Sequence, residues 1–439
     1  MKTLLTFLID FQNLDNSIIR RVAGLLLLVI PAFVLNFLFL ILSKQILDIK
    51  GFGIFYTALS IVNIFHAPSV VSNLFFSKNI TTALSSGGYI SAKEQYLAYI
   101  RFIVKVGGSI CISLVGLMFV FGNLIAVESL LLIVLIPVTI FSTYLFESLR
   151  AFFQGVKKFK LFGCVTFAWS IARLLLGIGG FIIVGLVWSG LLGIAIGGFL
   201  IFIAGYVYII YPDFRLLKLK KPKAKYHSNL FLFSLSYGVF ILLMYLDILT
   251  AYLTLGRLEL GLYSSFCILS KSIILFSNPV INVFFPVVVE QKINKKIDKK
   301  SVNKTFFISF LMSFGPVLLI SFFSEPVSTH LLDLKSTNLW ALRGVVASAV
   351  PVCLIRVLVV LQLARGYDKH ALLLIPAIIL QFILLYLSDF CLEYFSWSFV
   401  ILCWFVLFYY SILCFKTTQL KIADMFINFI TFKFIRSNY

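Results

Sequence analysis

The stretch GLLGIAIGGFLIFIAGYVYIIY (190–211) carries no charged residue, and PDFRLLKLKKPKAK (212–225) follows it at once. Wound as a helix, its 22 residues rise about 33 Å, enough to cross a hydrocarbon core about 30 Å thick. The lysine-rich segment behind it belongs in water. The whole chain repeats this contrast. Of its 439 residues, 61% are hydrophobic and 12% are charged, whereas a soluble domain carries roughly a quarter charged residues. So little charge cannot cover a water-facing surface. In lipid every backbone polar group must pair internally, so the apolar runs are expected to be helices.

Working outward from 190–211, runs of the same kind place spans near 18–42, 52–76, 98–121, 124–147, 162–187, 230–254, 262–289, 305–324, 340–362, 371–388 and 394–415. With 190–211 the count is twelve, which puts both termini on one side. The first run is too long for a signal-peptide core, and no small-residue cleavage pattern ends it. Lys44, Lys50, Arg257, Lys335 and Arg343 fall in loops on the far side, and Arg173, Lys271 and Arg356 fall inside spans. The other 29 of the 37 Lys and Arg lie at the termini or in the near-side loops. Positive residues stay in the cytoplasm, so both termini are expected there. The formal charge of +20 therefore reads as a topology signal. Nucleic acid is not an expected partner, because the cations are dispersed over short segments that flank spans.

The division that follows is a lobe over 1–212, a basic linker over 213–229, a second lobe over 230–415 and a surface-lying amphipathic tail over 416–439. Anionic headgroups would attract the linker, which makes membrane lipids a partner. The seven cysteines form no CxxC pair and read as small hydrophobes. The halves share short likenesses. Gly53-Ile54-Phe55 opens span two and Gly261-Leu262-Tyr263 opens span eight, 208 residues later. Gln154-Gly155 follows span four and Arg365-Gly366 follows span ten, 211 residues later. Six helices per half preserve orientation, which makes this a parallel repeat of the kind that holds transporter substrates at its interface.

Two longer patterns carry a family resemblance. One is Glu147-x-x-Arg150-x-x-x-Gln154-Gly155-x-x-x-Phe159. The other is Asp247 in span seven, followed by Gly261-x-Tyr263 and then Asn278-Pro279 and Phe285-Pro286. With the twelve-span layout over nearly the whole chain, the sequence resembles the O-antigen (Wzx-type) polysaccharide flippases of the MATE-like multidrug/oligosaccharidyl-lipid/polysaccharide exporter superfamily. The resemblance implies an all-α membrane fold of two six-helix lobes in a V that alternates between inward- and outward-open states. It implies a polyprenyl-diphosphate-linked glycan as cargo, a bacterial inner membrane, and other polysaccharide-assembly proteins as partners.

Charges inside spans need a reason of their own, since each costs several kcal/mol at the bilayer centre. Arg173 shares a face of span five with Thr166 and Ser170. Lys271 shares one of span eight with Ser264, Asn278 and Asn282. Both cations are candidates to line a cavity, with pairing to Asp247 or to backbone carbonyls as the structural alternative. Arg356 sits close enough to a span end to snorkel and reads equally as snorkelling or cavity-lining. Asn63, His66, Ser69 and Asn73 form a polar stripe on span two; with Ser170 and Asn278, Asn63 and His66 are candidates to line the substrate cavity, and for His66 helix–helix hydrogen bonding is the first reading and substrate contact the second. Asp247 is a counter-ion, or a proton or sodium coupling site. Glu147 and Arg150, at a helix end, read as orienting the loop. No other cofactor and no metal are expected. Three in-span cations against one clear anion suit an anionic headgroup. A MATE-like ion-coupled exporter of small solutes is the alternative. A membrane glycan polymerase or ligase ranks lower, since His330, Asp333 and Glu325 form no acid–base constellation, and no ATPase motif is present.

Overall fold

Proline and glycine set where the helices bend and stop. In the computed structural model, residues 16–121, 130–212, 228–277, 288, 299–334, 338–365, 367, 369–387 and 391–418 are described. Among them the structure is helical, with no strand, and eleven helices are long and apolar enough to cross a membrane. Twelve spans were expected. Spans two and three fall on one helical stretch, Ile49–Phe119, because the segment between them (77–97) is helical rather than a loop. Its hydroxyls bond back to the preceding turn: Thr81 to Ser77 O, Thr82 to Lys78 O and Ser86 to Thr82 O. The one interruption is Gly88, at φ 70°, a backbone conformation that a side chain resists.

The chain divides into two compact units. The first comprises Met1–Ile46 and Pro68–Tyr226, and the second Leu47–Ala67 and His227–Tyr439. In unit 1, α1 (Asn16–Ile46) packs on α5 (Phe159–Val184). In turn α5 packs on α6 (Val187–Ile210), and α6 on α4 (Leu130–Gly155). Between these lie α2 (Ile49–Phe102), which enters from unit 2, and α3 (Gly108–Phe121), which packs on α4. The α5–α6 contact depends on Gly193 and Gly197, one turn apart: a Cβ on Gly193 would collide with Leu176 O, and one on Gly197 would lie 3.2 Å from Ala172 Cβ. Aromatic side chains fill the core of this unit, with Tyr96, Phe152 and Phe153 packed beside Ile80 and Ile209.

Unit 2 contains α7 (Ser228–Thr254), α8 (Arg257–Phe276), α9 (Lys299–Phe322), α10 (Leu339–Ala347), α11 (Ala349–Ala364), α12 (Ile375–Leu387) and α13 (Leu392–Thr418). Span ten is divided into α10 and α11 at Ser348, four residues after Gly344 and three before Pro351. Pro351 has no N–H to give Ala347 O, and its ring crowds that carbonyl. Core contacts join α10 to α8 and α13, α11 to α9 and α13, and α12 to α7. The start of span two clusters here and not with the rest of the first six spans. Gly261 explains the closeness: a Cβ on it would collide with Ile49 O, and one on Gly53 would meet Gly261 N at 3.0 Å. The two glycines that the internal repeat pairs thus touch one another. Of the expected linker and tail, 213–227 and 419–439 lie outside the described residues.

Candidate functional site

Charged side chains inside the helices gather polar centres in both units. In unit 2, Asp247 of α7 is fully buried and Lys271 of α8 is 3% exposed. Lys271 Nζ donates to Asp247 Oδ2 at 2.9 Å and Oδ1 at 3.1 Å, and to Met244 O. The Tyr263 hydroxyl donates to Asp247 Oδ2 at 3.1 Å, and the Cys267 thiol lies 3.7 Å from the same oxygen. The rings of Tyr245 and Phe399 stand 5.6 and 5.4 Å from the ammonium, where their faces attract a cation. Of the two alternatives open for Lys271, the structure thus displays the ion pair with Asp247. Thr250 and Thr254, on the same stripe of α7, bond to carbonyls of their own helix, Leu246 O and Thr250 O.

Arg356 of α11 is 9% exposed. Its guanidinium donates to Tyr237 Oη at 3.3 Å and Ile274 O at 3.5 Å, both neutral groups. It is buried inside unit 2, so a snorkelling side chain is not what the structure displays. Asn63 and His66 belong to unit 2 and are half-buried. Asn278, expected on the Lys271 face, lies outside the described residues.

In unit 1, Arg173 of α5 is half-buried. Its guanidinium lies 4.6 Å from the Phe39 ring and 5.6 Å from the Trp169 ring, and donates to Asn36 Oδ1 at 3.3 Å. Asn36 in turn donates to Ser170 Oγ at 3.0 Å and Ala32 O at 3.0 Å. Ser170 is fully buried and donates to Thr166 O. Arg173 and Ser170 therefore come together as expected, with Asn36 of α1 as the member that sequence reasoning missed. Asn36 is the one polar residue in the run Val22–Leu42, which is the signal that would have found it.

A second polar centre in unit 1 surrounds Glu147 and Arg150, whose place at a helix end reads from sequence as loop-orienting. Glu147 is 2% exposed. Its Oε1 accepts from Arg150 at 2.6 Å and its Oε2 from Asn73 Nδ2 at 2.7 Å. Arg150 also lies over the Phe162 ring at 4.8 Å. The motif Glu147-x-x-Arg150 thus ties α4 to α2 and α5 inside the unit, because one turn of helix sets the two side chains side by side.

No family model and no curated protein sequence matches the chain. Solved structures do. An inward-facing multidrug resistance MATE family transporter of the MOP superfamily superposes with a TM-score of 0.65 over 89% of this chain and 96% of that one, at 15% identity. The MATE multidrug transporter DinF-BH gives 0.64 over 90% and 95% at 14% identity. Lipid II flippase MurJ, in an inward closed conformation, gives 0.64 over 92% and 89% at 13% identity. The chain is a multi-pass membrane protein with the MATE-like fold of that superfamily. Drug transporters and a lipid flippase share this fold, so the fold by itself assigns no function, which has to be argued from residues.

Proposed function

We propose that this protein is a flippase that carries a polyprenyl-diphosphate-linked oligosaccharide, of the O-antigen type, from the cytoplasmic to the periplasmic leaflet of a bacterial inner membrane by alternating access. One observation carries the reading. Among the described residues the buried cations are Lys44, Lys93, Lys271, Arg356 and Arg365, while the buried carboxylates are Glu147 and Asp247. Each of those carboxylates already holds a cation. An interior with surplus positive charge favours an anionic headgroup, whose desolvation it offsets. In unit 1 Arg173, whose planar fork lies against Phe39 and Trp169, and separately in unit 2 Arg356, are each a candidate to attract the anionic headgroup. Asn63, His66 and Asn278 are further candidates for substrate contact.

The exporter reading requires a cation site at Asp247. An ammonium already stands 2.9 Å from that carboxylate, so sodium would have to displace Lys271. The resemblance of the fold to drug transporters supports this reading; the charge balance supports the flippase. Purified protein in vesicles, supplied with a fluorescent polyprenyl-diphosphate sugar and a membrane-impermeant quencher, decides between them. The wild type should flip the lipid-linked sugar, and Arg173→Ala/Arg356→Ala should flip it at least 10-fold more slowly at equal protein. Equal rates would refute the assignment, and gradient-driven movement of an organic-cation dye without flipping would establish the exporter.

A further inference from the structure

The turn Gln154–Lys158, between α4 and α5, is clamped against α2. A Cβ on Gly155 would collide with Ile80 and with Ser77 O, and Gly155 O accepts from Thr81 Oγ1 at 2.8 Å. Lys157 sits in the left-handed region at φ 58°, where a side chain is strained, while Lys157 N and Lys158 N close the turn on Gln154 O and Phe153 O. This geometry carries Lys158 to Tyr89 of α2. Its Nζ donates to the Tyr89 hydroxyl oxygen at 3.4 Å and lies 4.8 Å from the ring. Lys93, 2% exposed, brings a second ammonium to 5.0 Å from the same ring. The ring itself is in T-shaped contact with Phe152, their centroids 5.9 Å apart. Two ammoniums on one ring repel each other. Acid is scarce beside them: across 77–97 and 154–162 the charged residues are Lys78, Lys93, Lys157, Lys158 and Lys160 against Glu94, and among the described residues Glu94 and Lys158 make no ion pair. Nor has α5, which begins here, an acidic residue in its first turn, so the positive end of its dipole adds to the same sign.

Retention of positive residues on one side of a membrane accounts for lysines in these segments, but not for two of them converging on one tyrosine. The Tyr89 hydroxyl accepts from Lys158 and donates to no described residue, and the Lys158 ammonium has donors to spare. Together these donors and this charge suit phosphate oxygens. We propose that Lys158 and the Tyr89 hydroxyl, with the charge of Lys93 added at the same ring, hold the phosphate of an anionic phospholipid headgroup at this end of unit 1. Position selects a lipid over a soluble anion. One span ends at Gly155 and the next begins at Phe159, so the turn lies at the depth of headgroups, where basic pockets between spans take anionic lipids. Arg173 lies about 21 Å further along α5, at 1.5 Å per residue, so this site is separate from the cargo candidate in unit 1. The inference does not rest on the transport reading, since a flippase and an exporter would hold the same lipid.

The test places the full-length protein in nanodiscs of phosphatidylcholine with a rising fraction of phosphatidylglycerol and reads thermal unfolding. Phosphatidylglycerol should raise the unfolding temperature and saturate. Tyr89→Phe is the deciding variant, because it removes the hydroxyl, keeps the ring against Phe152 and leaves the net charge unchanged. It should raise the phosphatidylglycerol fraction for half response about 10-fold, and Lys158→Gln at least as much, the worth of a hydrogen bond to a charged group. Lys160→Gln alters an exposed lysine with no bond to Tyr89, and should raise it no more than about fivefold, the worth of one lysine in the diffuse field of an anionic surface. Unfolding in pure phosphatidylcholine checks that each variant still folds. A Tyr89→Phe response equal to wild type, or equal losses in Lys158→Gln and Lys160→Gln, would reveal a diffuse field and overturn the site. Absence of any response to phosphatidylglycerol overturns it as well. So does an equal shift with inorganic diphosphate in detergent, which would make this a site for a soluble anion.

Discussion

Lys271→Met is the most informative single perturbation, because the structure assigns Lys271 an internal partner. Methionine keeps the length and apolar stem of the side chain and removes the ammonium. Asp247, fully buried, would lose the two contacts at 2.9 and 3.1 Å and keep only the Tyr263 hydroxyl and the Cys267 thiol. Breaking a buried pair by removing one partner costs about 3–5 kcal/mol, or roughly 100- to 4,000-fold in the folding equilibrium. Asp247→Asn should cost a similar amount by stranding the ammonium. The double variant Lys271→Met/Asp247→Asn has neither charge and should lie within about 1 kcal/mol of wild type or above it, since apolar replacements of buried pairs are often neutral or stabilising. Urea unfolding of the purified protein in detergent, followed by tryptophan fluorescence, gives all four corners of the cycle. Membrane abundance should follow the same order. Single variants as stable as wild type, or a double variant no better than the worse single, would refute the pairing argument. On the proposed flippase function, the same double variant then separates fold from function: flipping at the wild-type rate makes Lys271 structural, and lost flipping with stability intact makes its charge part of the proposed headgroup path.

Three further outcomes are expected. Gly193→Val should destabilise the protein by about 1–3 kcal/mol through overpacking at α5–α6, whereas Gly197→Ala, where the nearest atom is 3.2 Å away, should cost clearly less in the same thermal unfolding assay. Glu147→Gln should cost about 1.5–3 kcal/mol, the value of hydrogen bonds to a charged group, and Asn73→Leu should show non-additivity with it in a double-mutant cycle. Single cysteines placed at 213–229 should escape a membrane-impermeant maleimide in intact cells, as cytoplasmic placement requires; efficient labelling would reverse the topology.

The fold was legible because it depends on quantities that sequence states directly. A 22-residue uncharged run has one physical use, to cross a hydrocarbon core as a helix. What escaped was the segment 77–97, read as a loop from its polar content. Hydroxyls that bond their own helix make such a segment look more soluble than it is, and only Gly88 interrupts it. Burial was equally hidden: Glu147 seemed to be at a solvent-facing helix end, because nothing in its local pattern announces Asn73 on a helix 74 residues earlier.

The Asp247 pair shows how far helical arithmetic reaches. The connection between α7 and α8 is centred near Leu255 and Gly256, so residues equally distant from it lie at equal depth. Asp247 is about eight residues from that turn, and so is Tyr263, which meets it. Lys271 lies about seven residues deeper, roughly 10 Å at 1.5 Å per residue, which argues against contact. Two features reverse that argument. Side chains on a helix lean toward its N-terminus, which for α8 is back toward the turn, and lysine has the length to cover much of the gap. The ammonium therefore ends between Met244 O and both Asp247 oxygens. Arg173 had looked an equal candidate for Asp247 by charge alone. Charge identifies that a partner is needed, whereas depth, lean and reach identify which one it is.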